Sequence, residues 1–334
     1  VNVASMVANR LVWFMPTVLG LLAVVFVLAR IVPTDPAVLA VGENATTEQV
    51  QEARERLAVD RPLPEQFVEY LRQVAQGDLG TSFYTQQPIV DDLVERLPAT
   101  LELTIIGVLA AGLIGVPLGV VSGLSRNSWL DHLLRLASVL FIGVAPFWIA
   151  MQLQLLFSMR LGWLPLSGRI DDFAPETVTG FLTIDALIAG DLPNFLSALR
   201  HIVLPTLTLA LPGAAVIMRF TRTSVIEAVA SPSVAYQTAM GLPRRVIVWK
   251  YVLRLALNST VTQLGLVFGI SLTGAVVIEA VFEWPGLGTY AVRSILYSDY
   301  NAVMGVTLCV GILFALSNLL VDLLQMAVDP RGAP

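Results

Sequence analysis

The sequence predicts an all-α membrane protein with six transmembrane helices and an external helical insertion after the first span. Three observations predict it. Of the 334 residues, 56% are hydrophobic and only 13% are charged, about half the charged share of an ordinary soluble domain. The mean hydropathy is +0.75. Apolar runs of roughly 20 residues, the length that crosses a bilayer, recur along the chain, and basic residues gather in alternate loops. The net charge of −5 argues against a nucleic-acid partner.

The first run covers residues 11–29, between Arg10 and Arg30. It is longer than the apolar part of a cleaved leader, and no small-residue cleavage site follows it cleanly, so it reads as a span. The others cover about 97–123, 133–159, 201–220, 258–282 and 302–328. Residues 31–96 form a polar excursion. In its stretch TTEQVQEARERLAVD, Thr47 is placed to cap a helix, with Gln51 and Glu52 in the first turn. In RPLPEQFVEYLRQVAQGDLG a second helix starts near Pro64 and stops at Gly77, with Phe67, Leu71 and Val74 at helical spacing. These helices read as packing elements for the membrane part. A second excursion, residues 162–200, reads as partly helical.

Loop charge orients the spans. With six crossings, Arg126, Arg135, Arg219, Arg222, Arg244, Arg245, Lys250 and Arg254 fall on one side. Asp171, Asp172, Glu176, Asp185 and Asp191 fall on the other. The basic side is then cytoplasmic, as are both termini, including the tail 329–334. His132 and His201 come at span ends, where an interfacial anchor is expected rather than catalysis or a metal ligand. Cys309, the one cysteine, lies in an apolar run and reads as a buried free thiol.

One stretch breaks the apolar pattern on the basic side. In SPSVAYQTAMGLPRRVIVWKY, Ser231 is a natural N-cap and Pro232 a natural first helical residue. Gly241 suits the left-handed position that ends a helix, and Pro243 bars its continuation. A helix from Pro232 to about Met240 follows, some 13 Å long at 1.5 Å per residue. A second helix starts near Pro243 and carries Arg244, Arg245, Lys250 and Arg254 with no acid among them. A loop that anchors spans by positive charge and a helix that docks a partner both fit this pattern.

Within or near spans lie Glu102, Gln152, Gln154, Glu279 and Asp322. Ionisable groups there are expensive and often line pathways, with hydrogen bonds between helices as the alternative. Glu279 and Glu283 stand before the turn WPGLG at the external end of the fifth span. They are candidates for a gate or for contact with an external receptor. Lys250 is the only lysine, and no Gly-Lys-Ser/Thr stretch exists to cradle phosphates. ATP, if used, must be bound by another chain.

Several motifs occur in order over some 300 residues: LPEQFVEYL, GDLGTSF, RLPATLELT, LGWLPLSGR, HIVLPTLTLALP, MRFTRTSVIEAV, EAVFEWPGLG and NLLVDLLQMAVDPR. In this the chain resembles the permease subunits of bacterial ABC importers, in the subgroup that moves dipeptides, oligopeptides, nickel and glutathione. The stretch GFLTIDALIAGD resembles the dipeptide branch. The resemblance implies the type I ABC importer fold over residues 97–328, with the cytoplasmic coupling loop at 221–257. It implies a transport subunit rather than an enzyme, in the bacterial inner membrane. The implied partners are a second homologous permease subunit, two ATP-binding subunits or domains and an external substrate-binding protein. No cofactor or metal is implied for this chain.

Ala235, Tyr236, Gln237, Ala239, Gly241, Arg244 and Arg245 would then contact the ATPase. Members of the family usually carry an Ala pair or Arg-Thr-Ala where this chain has Ala235, Tyr236 and Gln237, and a proline where it has Ser259. Gly241, Ala239 and Arg254 match. A secondary transporter or channel, with Glu102 and Asp322 as its carboxylates, is the alternative. An intramembrane enzyme is disfavoured, because neither Gly-x-Ser-Gly nor Gly-x-Gly-Asp occurs and His201 has no evident serine partner in the sequence.

Overall fold

The structure, a computed structural model, describes residues 12, 15–27, 46–48, 51, 62–171 and 174–328. Among these the regular elements are helices, and the one β pairing is an isolated antiparallel bridge between Thr81 and Pro88. Most of the helix expected to start at Thr47, Asp172, the side chain of Asp322 and the tail 329–334 lie outside the described residues.

All six apolar stretches read from the sequence carry helix. Helix α1 is Met15–Val27. After the polar helix α2 (Leu63–Ala75) comes α3 (Ile89–Leu124). The third stretch holds α4 (Trp129–Gly143) and α5 (Pro146–Leu153), the latter continued by wider turns over Gln154–Arg160. After the short α6 (Leu182–Ile188) comes α7 (Leu192–Val229). Helix α8 (Pro232–Ala239) is followed by α9 (Arg244–Val246), wider turns over Ile247–Val252 and α10 (Leu253–Phe282). The last two are α11 (Leu287–Leu296) and α12 (Tyr300–Val328). Among the described residues, four segments are long and apolar enough to cross a membrane: Ile89–Leu124, Leu192–Val229, Thr262–Phe282 and Tyr300–Val321. The pair α4 and α5 makes a fifth if counted as one bent span.

Three details differ from the sequence reading. Helices α3 and α7 extend well past the apolar windows, because their polar first turns continue the same hydrogen-bond ladder. The third span is not straight: its two halves meet at 103°. The cause is local. Pro146 has no amide to donate, and the residue before a proline is driven out of the helical region. Val144 (φ −87°, ψ 133°) and Ala145 (φ −63°, ψ 133°) are both extended. Finally, His201 is not at a helix end. It lies inside α7, buried, with Nδ1 2.9 Å from the Ser197 carbonyl and Nε2 3.6 Å from Asp171.

The chain divides into two compact units, described separately. One takes the described residues up to Leu97 together with Tyr290–Ala315. In it Phe26 of α1 packs on Phe67 and Tyr70 of α2, with ring centroids 5.2 and 5.7 Å apart. The loop before α3 is tied by two buried carboxylates. Asp299 accepts from Ser82 Oγ (2.6 Å) and the Tyr84 amide (3.1 Å), while Asp92 accepts from Tyr290 OH (2.8 Å). Burial, with Asp92 alongside, pushes the Tyr290 phenol well above its ordinary pKa.

The other unit takes Pro98–Thr289 and the chain from Leu316 on. Its frame is the pair α3 and α7. Gly115, Gly119 and Gly123 repeat every four residues on one face of α3. A methyl group added to them would lie 2.6 Å from the Ala214 carbonyl oxygen, 2.8 Å from that of Met218 and 3.0 Å from that of Arg222, respectively. The three carbonyls repeat every four residues in the same direction. The two helices therefore run parallel and in register, backbone against backbone, as small residues allow. A parallel pair obliges the chain between them to return to its starting end. Apolar cores fill the rest of this unit, one around Leu103, Ile202, Ile278 and Trp284 and another around Val108, Ala210, Ile217 and Val267.

Candidate functional site

Helix α8 is built as its sequence predicts. Ser231 is extended (φ −70°, ψ 147°) and its hydroxyl accepts from the Val234 amide, while donating to the Ala228 carbonyl at 2.7 Å. Gly241 has φ +75°, and the Gly241 and Leu242 amides close back onto Thr238 and Gln237 carbonyls. Val234 is buried in a core with Val225 and Ala228 of α7, Ile247, Val252 and Ala256. Val120 and Leu124 of α3 pack against that core. One apolar side chain thus seats the helix, and its other faces are open. Ala235, Tyr236, Ala239, Gly241, Arg244 and Arg245 are all exposed, Tyr236 by 62%, and Gln237 is half-buried. Six of the seven predicted coupling residues are thus exposed, two of them basic.

Beside this surface lies a group that the sequence reading passed over. Asp131, at the start of α4, is fully buried. Arg222 of α7 grips it with two bonds, Nε to Oδ1 at 2.7 Å and Nη2 to Oδ2 at 2.9 Å. Ser122 of α3 donates to Oδ1 at 2.6 Å, and the Asn127 amide donates to Oδ2 at 3.0 Å. In the sequence Arg222 stands only as one of the basic residues that orient the spans. The sequence signal was the acid in the first turn behind Ser128, a capping pattern, but its partner is 91 positions away.

At the opposite end, Glu279 is fully buried and organises the WPGLG turn. Oε1 accepts from Thr100 Oγ1 at 2.7 Å, and Oε2 accepts from the Gly288 amide at 2.7 Å and the Thr289 amide at 3.3 Å. Thr100 in turn accepts from the Leu287 amide at 2.8 Å. Trp284 donates its indole N–H to the Ala99 carbonyl at 2.9 Å. A carboxylate facing the first amides of a helix is a favourable cap. Glu283, next to it, is exposed at φ 52°.

Glu102, also buried, fastens the loop between Leu161 and α7. It pairs with Arg169 and accepts from the amide of Thr183 at 2.9 Å and from its hydroxyl. Arg169 also lies over the Trp284 ring, 5.4 Å from its centroid. Gln154 donates to the Leu166 and Val281 carbonyls at 2.9 and 3.3 Å, and Gln152 is exposed. Asp185 accepts from Thr179 Oγ1 (2.6 Å) and the amides of Thr179 (2.8 Å) and Gly180 (2.9 Å). Burial, the largest influence, raises its carboxyl, but the Thr179 and Gly180 bonds together outweigh it and the net shift is downward. The five candidate path residues are not one cluster: Glu102, Gln154 and Glu279 brace loops, whereas Gln152 and Glu283 are open.

The chain thus combines a parallel pair of long apolar helices, a bent helix pair packed against it and a capped helix exposed at one end, the frame of an all-α membrane protein. Comparison with known proteins makes the class specific. Residues 115–333 match the family described as binding-protein-dependent transport system inner membrane component, and residues 4–104 match its N-terminal companion. The chain belongs to that family and is the inner membrane component of a binding-protein-dependent transport system. It is 41% identical over 316 residues to the probable D,D-dipeptide transport system permease protein DdpB of Escherichia coli (strain K12), covering 94% of this chain and 93% of the relative. It is 38% identical to the di/tripeptide transport system permease protein DppB of Pseudomonas aeruginosa (strain UCBPP-PA14), covering 98% of each. With the glutathione transport system permease protein GsiC of Pectobacterium atrosepticum it shares 35% identity over 96% of each chain.

Proposed function

We propose that this chain is a permease subunit of an ATP-driven importer for di- or oligopeptides. It forms half of the translocation path and takes its energy from a separate ATPase. The observation that carries the reading is the free surface of α8: a short helix with a fixed start and stop, anchored inward by Val234 and presenting Tyr236, Ala239, Gly241, Arg244 and Arg245 to a partner. Closure of two ATP-binding subunits would move α8, and α8 would move the spans that hold its root. The peptide class is supported by the relatives, whose names cover a D,D-dipeptide, di- and tripeptides and glutathione.

The remaining partners are a second homologous permease subunit and an external substrate-binding protein. ATP is bound by the partner subunits, and this chain carries no catalytic or cofactor site of its own. Both termini and residues 221–257 face the cytoplasm, and residues 31–96 face outward, in keeping with the basic residues around α8. Glu283 and Gln152, open in the structure, are the candidates for direct contact with receptor or substrate. Glu102, Gln154 and Glu279 act through the loops they hold.

Co-expression of the chain with its neighbouring transport subunits and purification through a tag on this chain tests the reading. ATP-binding subunits should co-purify, and vesicles containing the assembly should take up a dipeptide in an ATP-dependent manner. Stable purification without any ATPase, with uptake driven by an ion gradient, would replace it with a secondary transporter.

A further inference from the structure

We propose that Asp131 is a positioning residue for energy coupling: by holding Arg222 it makes the cytoplasmic ends of α3, α4 and α7 one lever arm that carries α8. The inference rests on the reading of α8 as the ATPase-docking helix and deepens it.

Three independent features meet here. The first is the Asp131 carboxylate itself. It is fully buried and receives four hydrogen bonds, from Arg222 twice, Ser122 and the Asn127 amide. These donors sit on α7, on α3 and on the turn into α4, so one side chain joins three helices. A buried ion pair adds little net stability compared with apolar packing. What it does supply is a restricted arrangement, since Arg222 left alone would be a largely buried charge without its acceptor, and Asp131 would keep only the cation of Arg135, whose Nε lies 3.8 Å from Oδ2.

The second feature is the glycine face of α3. The last of its close approaches, Gly123 against the Arg222 carbonyl, occurs at the residue whose side chain holds Asp131. Main chain and side chain of Arg222 are therefore both fixed. The third is the distance to α8. Arg222 precedes Ser231 by nine positions, about 13 Å of helix. Between them Val225 and Ala228 belong to the core that seats Val234. A push on α8 reaches Arg222 through packed side chains and rigid helix, and from Arg222 it reaches α3 and α4 together. Helix α4 is one half of the span that bends by 103°. The clamp thus delivers the motion to the near half of that span.

The test uses the complete transporter, with its permease partner, ATPase subunits and external receptor, in lipid nanodiscs. Spin labels are placed at Trp129→Cys and Ser233→Cys in a Cys309→Ser background, at two exposed positions on α4 and α8. The label-to-label distance should be the same without nucleotide and after trapping with ATP and vanadate. A distance that changes between the two states would overturn the proposal, whatever any clamp variant does. In Asp131→Asn the distance should broaden and change with nucleotide. Stimulation of ATP hydrolysis by the purified receptor should then fall about tenfold, the size of an ordinary coupling free energy, with ATPase subunits still co-purifying. Wild-type stimulation in Asp131→Asn would also overturn it. Absence of ATPase subunits from the wild-type assembly would instead overturn the docking reading, a separate result read on the purified complex before any label is used.

Discussion

The Glu279 carboxylate stands 2.7 Å from the backbone amide of Gly288, at the start of α11, and 2.7 Å from the Thr100 hydroxyl of α3. The turn between α10 and α11 is wrapped around this one group. A methyl group added to Gly286 would sit 2.5 Å from the Glu279 carboxyl carbon.

Replacement of Glu279 by Gln keeps the volume but swaps one acceptor oxygen for an NH2 group. Either the Thr100 hydroxyl or the Gly288 amide then loses its acceptor inside the protein, at a cost of about 1–3 kcal/mol. Glu279→Gln should lower the thermal midpoint of the purified subunit, and Glu279→Ala should lower it further. Gly286→Ala should resemble Glu279→Ala, because the added carbon displaces the same carboxylate. Equal midpoints for Glu279→Gln and wild type would show that the turn does not depend on this cap.

Gly241 has φ +75°, and a β-carbon there would meet no atom within 4 Å. Its requirement is for backbone conformation and not for space. An ordinary residue in the left-handed region costs about 1–2 kcal/mol, and a β-branched one more. Gly241→Val should therefore reduce transport by more than about tenfold while the subunit remains inserted at near-normal abundance. Gly241→Ala should be milder. Gly241→Asn, although larger than alanine, should be milder still, because asparagine tolerates this conformation. Uptake and ATP hydrolysis in reconstituted vesicles rank the three; an order that follows side-chain size would refute the conformational argument.

Asp185 predicts a pH effect with a definite sign. Its carboxyl pKa is lowered in the folded chain, so its contribution is complete above the ordinary aspartate range near 4. The contribution is lost as pH falls through the lower folded value. At neutral pH, Asp185→Asn should speed hydrogen exchange at the Thr179 and Gly180 amides by about tenfold or more, since bonds to a charged acceptor are worth about 1.5–3 kcal/mol. As pH falls below the folded value, wild type and variant should converge once intrinsic exchange is corrected for. A difference that persists there would mean the carboxylate charge is not what holds the loop.

The orientation is tested by labelling. A cysteine at position 163 should react with an impermeant reagent added to intact cells, and one at position 245 should react only after the membrane is opened. Both native residues are exposed. The reverse pattern would invert the assigned sides.

Much of this fold was legible because helix ends are local events. Ser231 and Gly241 bound α8 through bonds to residues three or four positions away, and Gly77, at φ +79°, ends α2 in the same manner. The apolar stretches were legible because lipid demands them. What escaped was anything that joined distant positions. Glu279 and Glu102 attracted notice as charges in apolar surroundings, but Thr100 lies 179 positions from the first and Arg169 lies 67 from the second. Their role as braces could not be read without the fold. Arg222 is illegible for another reason: a basic residue at a span end already has a sufficient explanation in topology. The Gly115, Gly119 and Gly123 repeat also escaped, because four-residue spacing of small residues acquires meaning only once α7 is seen to lie against it. The bend at Val144 and Ala145 escaped as well, since Pro146 breaks the helix whereas Pro98, Pro117, Pro205 and Pro212 stay within continuous helices.

The matched four-residue repeats of α3 and α7 limit which movements this pair can make. Each glycine receives one carbonyl of the neighbouring helix; Pro117, Leu118 and Val121 are exposed, and the glycine face is flanked by Val116, Val120 and Ser122. Sliding one helix along the other would drive those side chains over the carbonyls until the next glycine arrives, about 6 Å further on. The surface acts as a rack with widely spaced teeth. Small axial shear is closed to it, and so is any gradual change of register. Rotation of the two helices as a single rod remains open, and so does flexing at the extended residues Val144 and Ala145. A transport cycle built on this subunit turns and bends its spans without sliding these two against each other.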